Sequence, residues 1–339
     1  MHLPKPEHIA SDSVPSLRWG VIGPGKIANA LVETTLKNTN QKFTAVASRS
    51  PERAKDFADK FGIGLVLENY DQLVNSSEIE AVYIASWQSD HFEHAMLALN
   101  AGKHVLVEKP ITYSPDQARQ IFALAKSKNL LAMEAMWTRY LPQSTIIRQL
   151  LADGELGQPR LLSANFCVDN SHSARLWTKG GGGIIYDMGI YPIAIAQQFM
   201  GNPINLIATG KVDENDLDME TFSTLEYANG GRAQLISSGI STIPTTASCA
   251  FENGVVVIDE PFFVPSGIKL RDKNLYFKEQ SWRDESSIQG HEGLCYQVNY
   301  FAKYVSEGRV ESPVHGAADT VANIEVAEEI SRQIGARPF

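Results

Sequence analysis

The chain has 339 residues, 43% of them hydrophobic and 20% charged, a globular composition long enough for roughly two domains. Its formal net charge of −9 argues against binding a nucleic-acid backbone as a whole, while leaving room for a local basic pocket. No apolar run reaches the ~18 residues that a membrane helix needs. The first 16 residues, MHLPKPEHIASDSVPS, lack the apolar core of a secretory signal, so the expected compartment is the cytoplasm.

Those 16 residues, with their prolines and polar side chains, read as a loose arm. At Leu17 the pattern changes. LRWGVI is a short apolar run suited to a buried strand, and Gly23, Gly25 and Ala28 follow in the order G-x-G-x-x-A before a helix-like stretch through about Lys37. The first glycine turns the chain off the strand, and the second lets the backbone approach a pyrophosphate. Ala28 permits close helix packing. A helix start also offers unpaired N–H groups to an anion. Gly23, Gly25, Lys26 and Ile27 are therefore the expected cofactor contacts at this turn.

Strand-like runs recur at Phe43–Ala47, Gly64–Leu67, Ala81–Ala85, His104–Val107 and Leu130–Met133. Amphipathic segments such as Pro51–Phe61, Asp90–Asn100 and Pro115–Lys128 separate them. Ser50 and Ser114 precede prolines at helix starts, and Gly102 stands at a helix stop. Apolar strands alternating with helices mean a parallel sheet covered on both sides, a Rossmann domain.

Beyond Pro142 the rhythm is different. A helix is expected from Gln143 to Ala152, a strand near Leu161–Val168, and a helical stretch after the glycine-rich KGGGG turn through about Met200. From Ile204 to Phe277 the chain reads as strand after strand, with hairpin signals at Asn229-Gly230-Gly231 and Asn253-Gly254. Helices return at about Gly293–Ser306 and Gly316–Ile334. The expected fold is an α/β Rossmann domain with a parallel sheet, joined to an α+β domain with a large, mainly antiparallel open sheet. Its divisions are an arm at 1–16, a dinucleotide-binding domain at 17–138, and a substrate-binding and oligomerisation domain at 139–339. Helices cover one face of the second sheet, and a second copy of the chain is expected on the other.

The residues at the second strand's end decide the cofactor. An acidic side chain there would bind the ribose hydroxyls of NAD, but the sequence reads AVASRSPER. Ser48, Arg49 and, one turn later, Arg53 suit a 2′-phosphate instead, so NADP is expected, with NAD the alternative. The three cysteines, Cys167, Cys249 and Cys295, form no C-x-x-C pair and read as reduced core residues. No spacing suggests a metal site, and no G-x-S-x-G nucleophile is present.

AGKHVLVEKP places Glu108, Lys109 and Pro110 at the carboxyl end of the fifth strand, where such sheets bind ligands. Downstream, GGGGIIYDMGIYPI sets Asp187 and Tyr191 four residues apart, on one helical face. With these segments and MEAMWTRYLP (Met133–Pro142), the chain from Leu17 onward resembles the Gfo/Idh/MocA oxidoreductase family. It is most similar to the branch of glucose–fructose oxidoreductase, dimeric dihydrodiol dehydrogenase and NADP-dependent D-xylose dehydrogenase. Tyr191 fits that branch, since inositol dehydrogenase-like members carry histidine there.

The resemblance implies that Lys109 and Tyr191 meet over the nicotinamide. Tyr191 would exchange the proton of a substrate hydroxyl while hydride passes between that carbon and the cofactor, and Lys109 would polarise the oxygen. A free tyrosine titrates near roughly 10, and a neighbouring ammonium lowers it toward a useful base. A cis bond before Pro110 would aim Lys109. Asp187 would orient Lys109 or meet a substrate hydroxyl, or simply pair within its helix. Glu108 belongs with the cofactor contacts. His91, in WQSDHFEHA, is either a cofactor-side residue or a helix-start histidine, and its neighbour His94 reads as surface. Trp87 and Gln88 replace the family's usual small or proline-containing loop. Trp137 suits the floor of a sugar site. Arg139 reads equally as a substrate or phosphate contact or as an ion-pair partner, and Phe166 and Trp177 are weaker pocket candidates. The expected activity is an NADP-dependent dehydrogenase or reductase acting on a CH–OH centre of a sugar or cyclic diol. The alternatives are a cofactor cycling between two sugars and a non-catalytic dinucleotide sensor.

Overall fold

The computed structural model describes residues 1–274 and 278–338. The chain forms two compact units. One comprises Ile9–Tyr140 and Gly290–Val321, the other Met1–His8, Leu141–Gln289 and the residues from Ala322 onward.

In the first unit, β1 (Arg18–Ile22), β2 (Lys42–Ala47), β3 (Leu65–Leu67), β4 (Ala81–Ile84), β5 (His104–Val107) and β6 (Ala132–Glu134) form one sheet. Their order is β3-β2-β1-β4-β5-β6, every neighbouring pair parallel. The order reverses between β1 and β4, whose Val21, Ile22, Val82 and Ile84 are fully buried. A ligand crevice lies outside the carboxyl ends at such a reversal.

The connecting helices are α1 (Lys26–Asn38), α2 (Pro51–Phe61), α3 (Tyr70–Val74), α4 (His91–Asn100) and α5 (Pro115–Ser127). Ser50 caps α2 by accepting the Arg53 N–H, Pro51 takes the first helical position, and Gly62 ends it at φ 68°. Ser114 makes no such side-chain bond, and α5 starts with Pro115 at its first position and Asp116 in its first turn. The short α3 has no counterpart in the sequence reading. It forms because the Asn69 side chain accepts the Gln72 N–H at 2.8 Å.

In the second unit, α6 (Pro142–Asp153) precedes β7 (Pro159–Cys167), and α7 (Ile190–Met200) follows the glycine-rich turn. Then come β8 (Asn205–Val212), β9 (Asp218–Glu226), β10 (Arg232–Ser238), β11 (Ala247–Phe251), β12 (Gly254–Ile258), β13 (Gly267–Asp272) and β14 (Glu279–Arg283). The sheet order is β14-β13-β12-β11-β7-β10-β9-β8. Among the described residues only β7 and β10 pair in parallel; the other pairs are antiparallel. Both predicted hairpins form, after β9 and after β11. The expected strand run extends to Phe277, which lies outside the described residues, and β14 beyond it was not anticipated.

The helix α7 packs on β7, β10 and β11. It is apolar on nearly every side, as a buried helix must be, and Ile190, Ile193, Ala194 and Phe199 are buried. Alternate residues of the sheet point the other way. Across that second face Ile207, Thr224, Gln234, Ser163, Ser248, Val257, Lys269 and Ser281 lie side by side.

The last helices are α8 (Leu294–Ser306) and α9 (Ala317–Ile334). The sequence reading puts all of 139–339 in one domain, whereas residues 290–321 cluster with β1–β6. Phe301 packs on Trp19 with ring centroids 4.7 Å apart, Thr34 Oγ1 donates to the Glu292 carbonyl, and the Ala132 N–H donates to the Val310 carbonyl. The first 16 residues are not a loose arm. Within the second unit the Leu3 N–H donates to Gln280 and the Glu7 N–H to Thr145. Within the first, Ser11 bonds Asn38 and Asn299, and Gln41 holds the Pro15 carbonyl. Every one of these partners lies at least 26 positions away, which is why local composition misreads the segment.

Among the described residues no helix is long and apolar enough to cross a membrane.

Candidate active site

The G-x-G-x-x-A turn joins β1 to α1 with open backbone at the helix start. Gly23 adopts φ 85°, and a Cβ there would meet the Ser86 nitrogen at 2.5 Å and the Ala85 carbonyl carbon at 2.6 Å. Gly25 caps α1, and a Cβ on it would meet nothing nearer than the Gly23 oxygen at 4.0 Å. That residue is thus not required by packing. Its bare Cα leaves space beside the first-turn N–H groups of Lys26 and Ile27, which have no intrahelical acceptor. Ala28 is fully buried. The residues present fit a dinucleotide pyrophosphate.

At the end of β2, Ser48 Oγ accepts the Ser50 N–H, and Arg49 and Arg53 are exposed. Arg49, 68% exposed, forms an ion pair with Asp90 at 3.5 Å. Asp90 stands just before α4, in the segment that follows β4. In that segment Trp87 is exposed, while Gln88 is buried and accepts the Tyr113 hydroxyl at 2.6 Å.

The two histidines of α4 are both buried, which corrects the surface reading of His94. His94 Nδ1 shares a 2.8 Å hydrogen bond with Ser86 Oγ, and its ring meets Tyr70 edge-on. Burial holds it below the ordinary histidine range. His91 has the Pro110 carbonyl at 2.9 Å from Nδ1 and the Ser86 carbonyl at 3.2 Å from Nε2. Two acceptors favour the charged ring, but burial outweighs them and pushes His91 down to about 4. Its single proton is assigned to Nδ1, the shorter contact.

The EKP segment follows β5, and the Lys109–Pro110 peptide is cis. Glu108 is buried, with Oε1 accepting the Tyr83 hydroxyl at 2.5 Å and Oε2 accepting the Lys109 N–H at 3.3 Å. Burial drives its carboxyl up to about 7, against the pull of Tyr83 and the Lys109 charge. Trp137 is buried and stacks on His291 at 5.8 Å, and the buried Arg139 guanidinium donates to the Val314 carbonyl at 2.9 Å.

In the second unit, Gly181 and Gly183 let the chain fold tightly ahead of α7. A Cβ on Gly183, at φ 65°, would strike Asp218 Oδ1. Asp218 is fully buried and its Oδ2 accepts the Ile184 and Ile185 N–H groups at 2.8 and 2.6 Å, capping the helical stretch from the side. That stretch opens with a π turn, Ile185–Gly189, before α7 begins. Asp187 lies in the wider turn and Tyr191 in the first α turn, so one uniform α-helical face does not relate them. Asp187 Oδ1 pairs with Arg175 at 3.0 Å.

Tyr191 is buried in an aromatic cluster, its ring centroid 5.6 Å from Phe166 and 5.8 Å from Phe263. Phe166 and Phe263 stack at 4.4 Å, with Phe262 edge-on to both. Trp177 is half-buried, and its indole N–H donates to the Asn170 carbonyl. The sequence reading brings in Phe166 but passes over Asp218, Phe262 and Phe263. Two adjacent phenylalanines in PFFVP were the one local signal available.

Residues 17–136 match the model of an oxidoreductase family with an NAD-binding Rossmann fold, and residues 145–257 match the GFO/IDH/MocA C-terminal domain. Trans-1,2-dihydrobenzene-1,2-diol dehydrogenase of Mus musculus is 30% identical over 326 residues, covering 94% of this chain and 97% of its own. The Homo sapiens enzyme of the same name is 29% identical with the same coverage. Among solved structures, KijD10, a 3-ketoreductase from Actinomadura kijaniata in complex with NADP and TDP-benzene, is 26% identical with a TM-score of 0.81, covering 95% of this chain and 98% of that one. Levoglucosan dehydrogenase, in complex with NADH and levoglucosan, shares the fold at a TM-score of 0.83 and 19% identity, covering 94% and 97%. With both of its halves matched and a 30% relative along almost its whole length, the chain belongs to the Gfo/Idh/MocA family and is an NAD(P)-binding oxidoreductase.

Proposed function

We propose that the protein is an NADP-dependent dehydrogenase or reductase acting on a CH–OH centre of a cyclic diol or sugar, with Tyr191 as acid/base and Lys109 assisting it. The observation that carries this reading is Gly25, bare for no packing reason at the start of α1, and the second unit supports it with a tyrosine sunk among aromatic rings on a capped helix. When bound, the nicotinamide supplies the hydride acceptor or donor. The phenol of Tyr191 takes the proton of the substrate hydroxyl in oxidation and returns it to the carbonyl oxygen in reduction. The Lys109 ammonium polarises that oxygen and favours the phenolate. Asp187, held by Arg175, meets a further substrate hydroxyl.

NADP rather than NAD is supported by Ser48, Arg49 and Arg53 and by the want of a carboxylate at the end of β2. The 26% identical KijD10 was solved with NADP. A cyclic diol is supported by the 30% identity to trans-dihydrodiol dehydrogenase and by the apolar rings of Phe166 and Phe263 around Tyr191. The open face of the second sheet, with Leu161, Ile207 and Phe222 exposed, fits a second copy of the chain. Three free, buried thiols suit a reducing compartment such as the cytoplasm.

The test titrates NADPH and NADH by fluorescence, then screens trans-dihydrodiols, aldoses and dicarbonyls for turnover with the wild type and Tyr191→Phe. We expect tighter NADPH binding, turnover of one substrate class, and a kcat about a hundredfold lower in the variant with NADPH affinity retained. Near-full turnover by Tyr191→Phe would remove the acid/base role. Tight binding with no turnover on any substrate would favour the sensor.

A further inference from the structure

Glu134 and His315 have no part in the chemistry above, yet they face each other at ion-pair distance in the closed interior of the first unit. Their side chains are 1% and 0% exposed, and His315 Nε2 lies 2.7 Å from Glu134 Oε2. Among the described residues His315 Nδ1 has no hydrogen-bond partner, so the ring proton is assigned to Nε2, where it donates to the carboxylate. The segment carrying His315 is itself fixed. The His315 N–H donates to Ser312 Oγ at 3.1 Å, the Tyr140 hydroxyl donates to the same Oγ at 2.8 Å, and Arg139 holds the Val314 carbonyl.

The other carboxylate oxygen, Oε1, accepts the Ile111 N–H at 2.8 Å. Ile111 is two residues beyond Lys109. One position earlier, the Pro110 carbonyl accepts from His91, and Glu108 is held by Tyr83. The residues on both sides of Lys109 are therefore pinned by buried side chains from β4, α4, β6 and the 310–315 segment. Burying a carboxylate costs free energy that an apolar residue of similar size at 134 would avoid. The ladder between β5 and β6 does not need it either, because the Ala135 N–H reaches the Val107 carbonyl unaided. What the carboxylate adds is a fixed direction for the backbone beyond Lys109. A lysine ammonium on four rotatable bonds can be placed only if its own Cα is placed first.

We propose that Glu134, oriented by His315, is a positioning residue for Lys109, an inference that rests on the assignment of Lys109 to the chemistry. Glu134 acts as a double acceptor. Gln at 134 keeps one oxygen for the Ile111 N–H but turns an NH2 toward His315, which the ring can accept only by moving its proton to Nδ1, where none of the described residues offers an acceptor. Gln at 315 keeps a donor for the carboxylate, whereas Leu does not.

The experiment measures kcat, KM and NADPH affinity for Glu134→Gln, His315→Leu and His315→Gln, in the wild-type and Lys109→Ala backgrounds. Amide hydrogen exchange of the peptide covering residues 108–113, without cofactor, is followed in each folded protein. We expect Glu134→Gln and His315→Leu to lower kcat about tenfold with KM and NADPH affinity nearly unchanged, and His315→Gln to restore most of the loss. In the Lys109→Ala background the same substitutions should cost almost nothing more, and exchange at 108–113 should quicken in Glu134→Gln and His315→Leu. Should Glu134→Gln fail to fold, the His315 pair carries the comparison alone. Full kcat in Glu134→Gln or His315→Leu, beside an inactive Lys109→Ala, overturns the positioning role and leaves the Lys109 assignment standing. Equal losses in both backgrounds also overturn it, by marking the pair as a structural tie only. Full activity in Lys109→Ala overturns the assignment and the positioning role together.

Discussion

The phenol of Tyr83 donates to Glu108 Oε1 at 2.5 Å with both side chains closed off from solvent. Burial raises the Glu108 carboxyl to about 7, and the Tyr83 bond is the largest influence pulling it back. A raised folded pKa means that the folded protein holds more protons than the unfolded one between the ordinary carboxylate range and about 7. The stability so contributed is complete at low pH and is lost as pH rises through 7.

Tyr83→Phe removes the donor that favours the ionised carboxylate. We expect the variant to be less stable by about 1–3 kcal/mol. The deficit should be larger at pH 8.5, where Glu108 is ionised, than at pH 5.5, where it is protonated. Urea unfolding of both proteins at the two pH values measures it, and an equal deficit at both would contradict the assignment.

The glycines at the phosphate turn separate folding from binding. Gly23→Ala would force a Cβ onto the Ser86 and Ala85 backbone at a left-handed φ, so the protein should fold poorly or lose several kcal/mol, on the order of 2–4. Gly25→Ala meets no neighbour within contact distance, and its melting temperature should stay at the wild-type value. NADPH affinity should fall about tenfold or more, because the new methyl fills the space left for the pyrophosphate. Thermal melts beside fluorescence titration test both halves; unchanged affinity in Gly25→Ala would show that the cradle is not used.

What the sequence made legible here is whatever is encoded within a dozen residues. The β1–α1 turn, the alternation of strands and helices through Met133, and the two hairpins all follow from local spacing and glycine placement. Lys109 and Tyr191 come from a different source, the resemblance of their motifs to a known family, and their roles are the proposal made above. The contacts it missed have partners far along the chain. Glu134 finds His315 181 positions away, and Asp218 caps residues 33 and 34 positions earlier. His94 looks polar and exposed in an amphipathic pattern, but Ser86 and Tyr70 close over it. The N-terminal residues have the composition of a loose arm, yet their bonds run to Gln280, Thr145 and Asn38. Such pairings leave no periodic trace in a single sequence.

The open face of the eight-stranded sheet carries Ile207 at 65%, Leu161 at 57% and Phe222 at 46% exposure, between Thr, Ser, Gln and charged neighbours. Large apolar residues scattered over a wide sheet face suit association with a complementary face. If a second copy covers them, the wild type sediments as a dimer across the micromolar range, and Ile207→Lys with Phe222→Lys sediments as a monomer. A monomeric wild type would refute the interface.

Asp218 supplies the last and cleanest handle on pH. Its Oδ2 accepts two backbone N–H groups, which alone would hold the carboxyl low, yet complete burial prevails and raises it to about 7. The sign is the same as for Glu108: stability is present at acid pH and lost as pH rises from the ordinary aspartate range through 7. Asp218→Asn keeps an oxygen for Ile184 and Ile185 and has no proton to lose. The melting temperature of the variant minus that of the wild type should therefore climb from pH 5 to about 7.5 and then level off, since all other titrating groups are common to both proteins. A flat difference would mean that Asp218 stays ionised throughout, that the two amide bonds outweigh burial, and that the helix bearing Tyr191 is capped by a charge instead of a neutral acid.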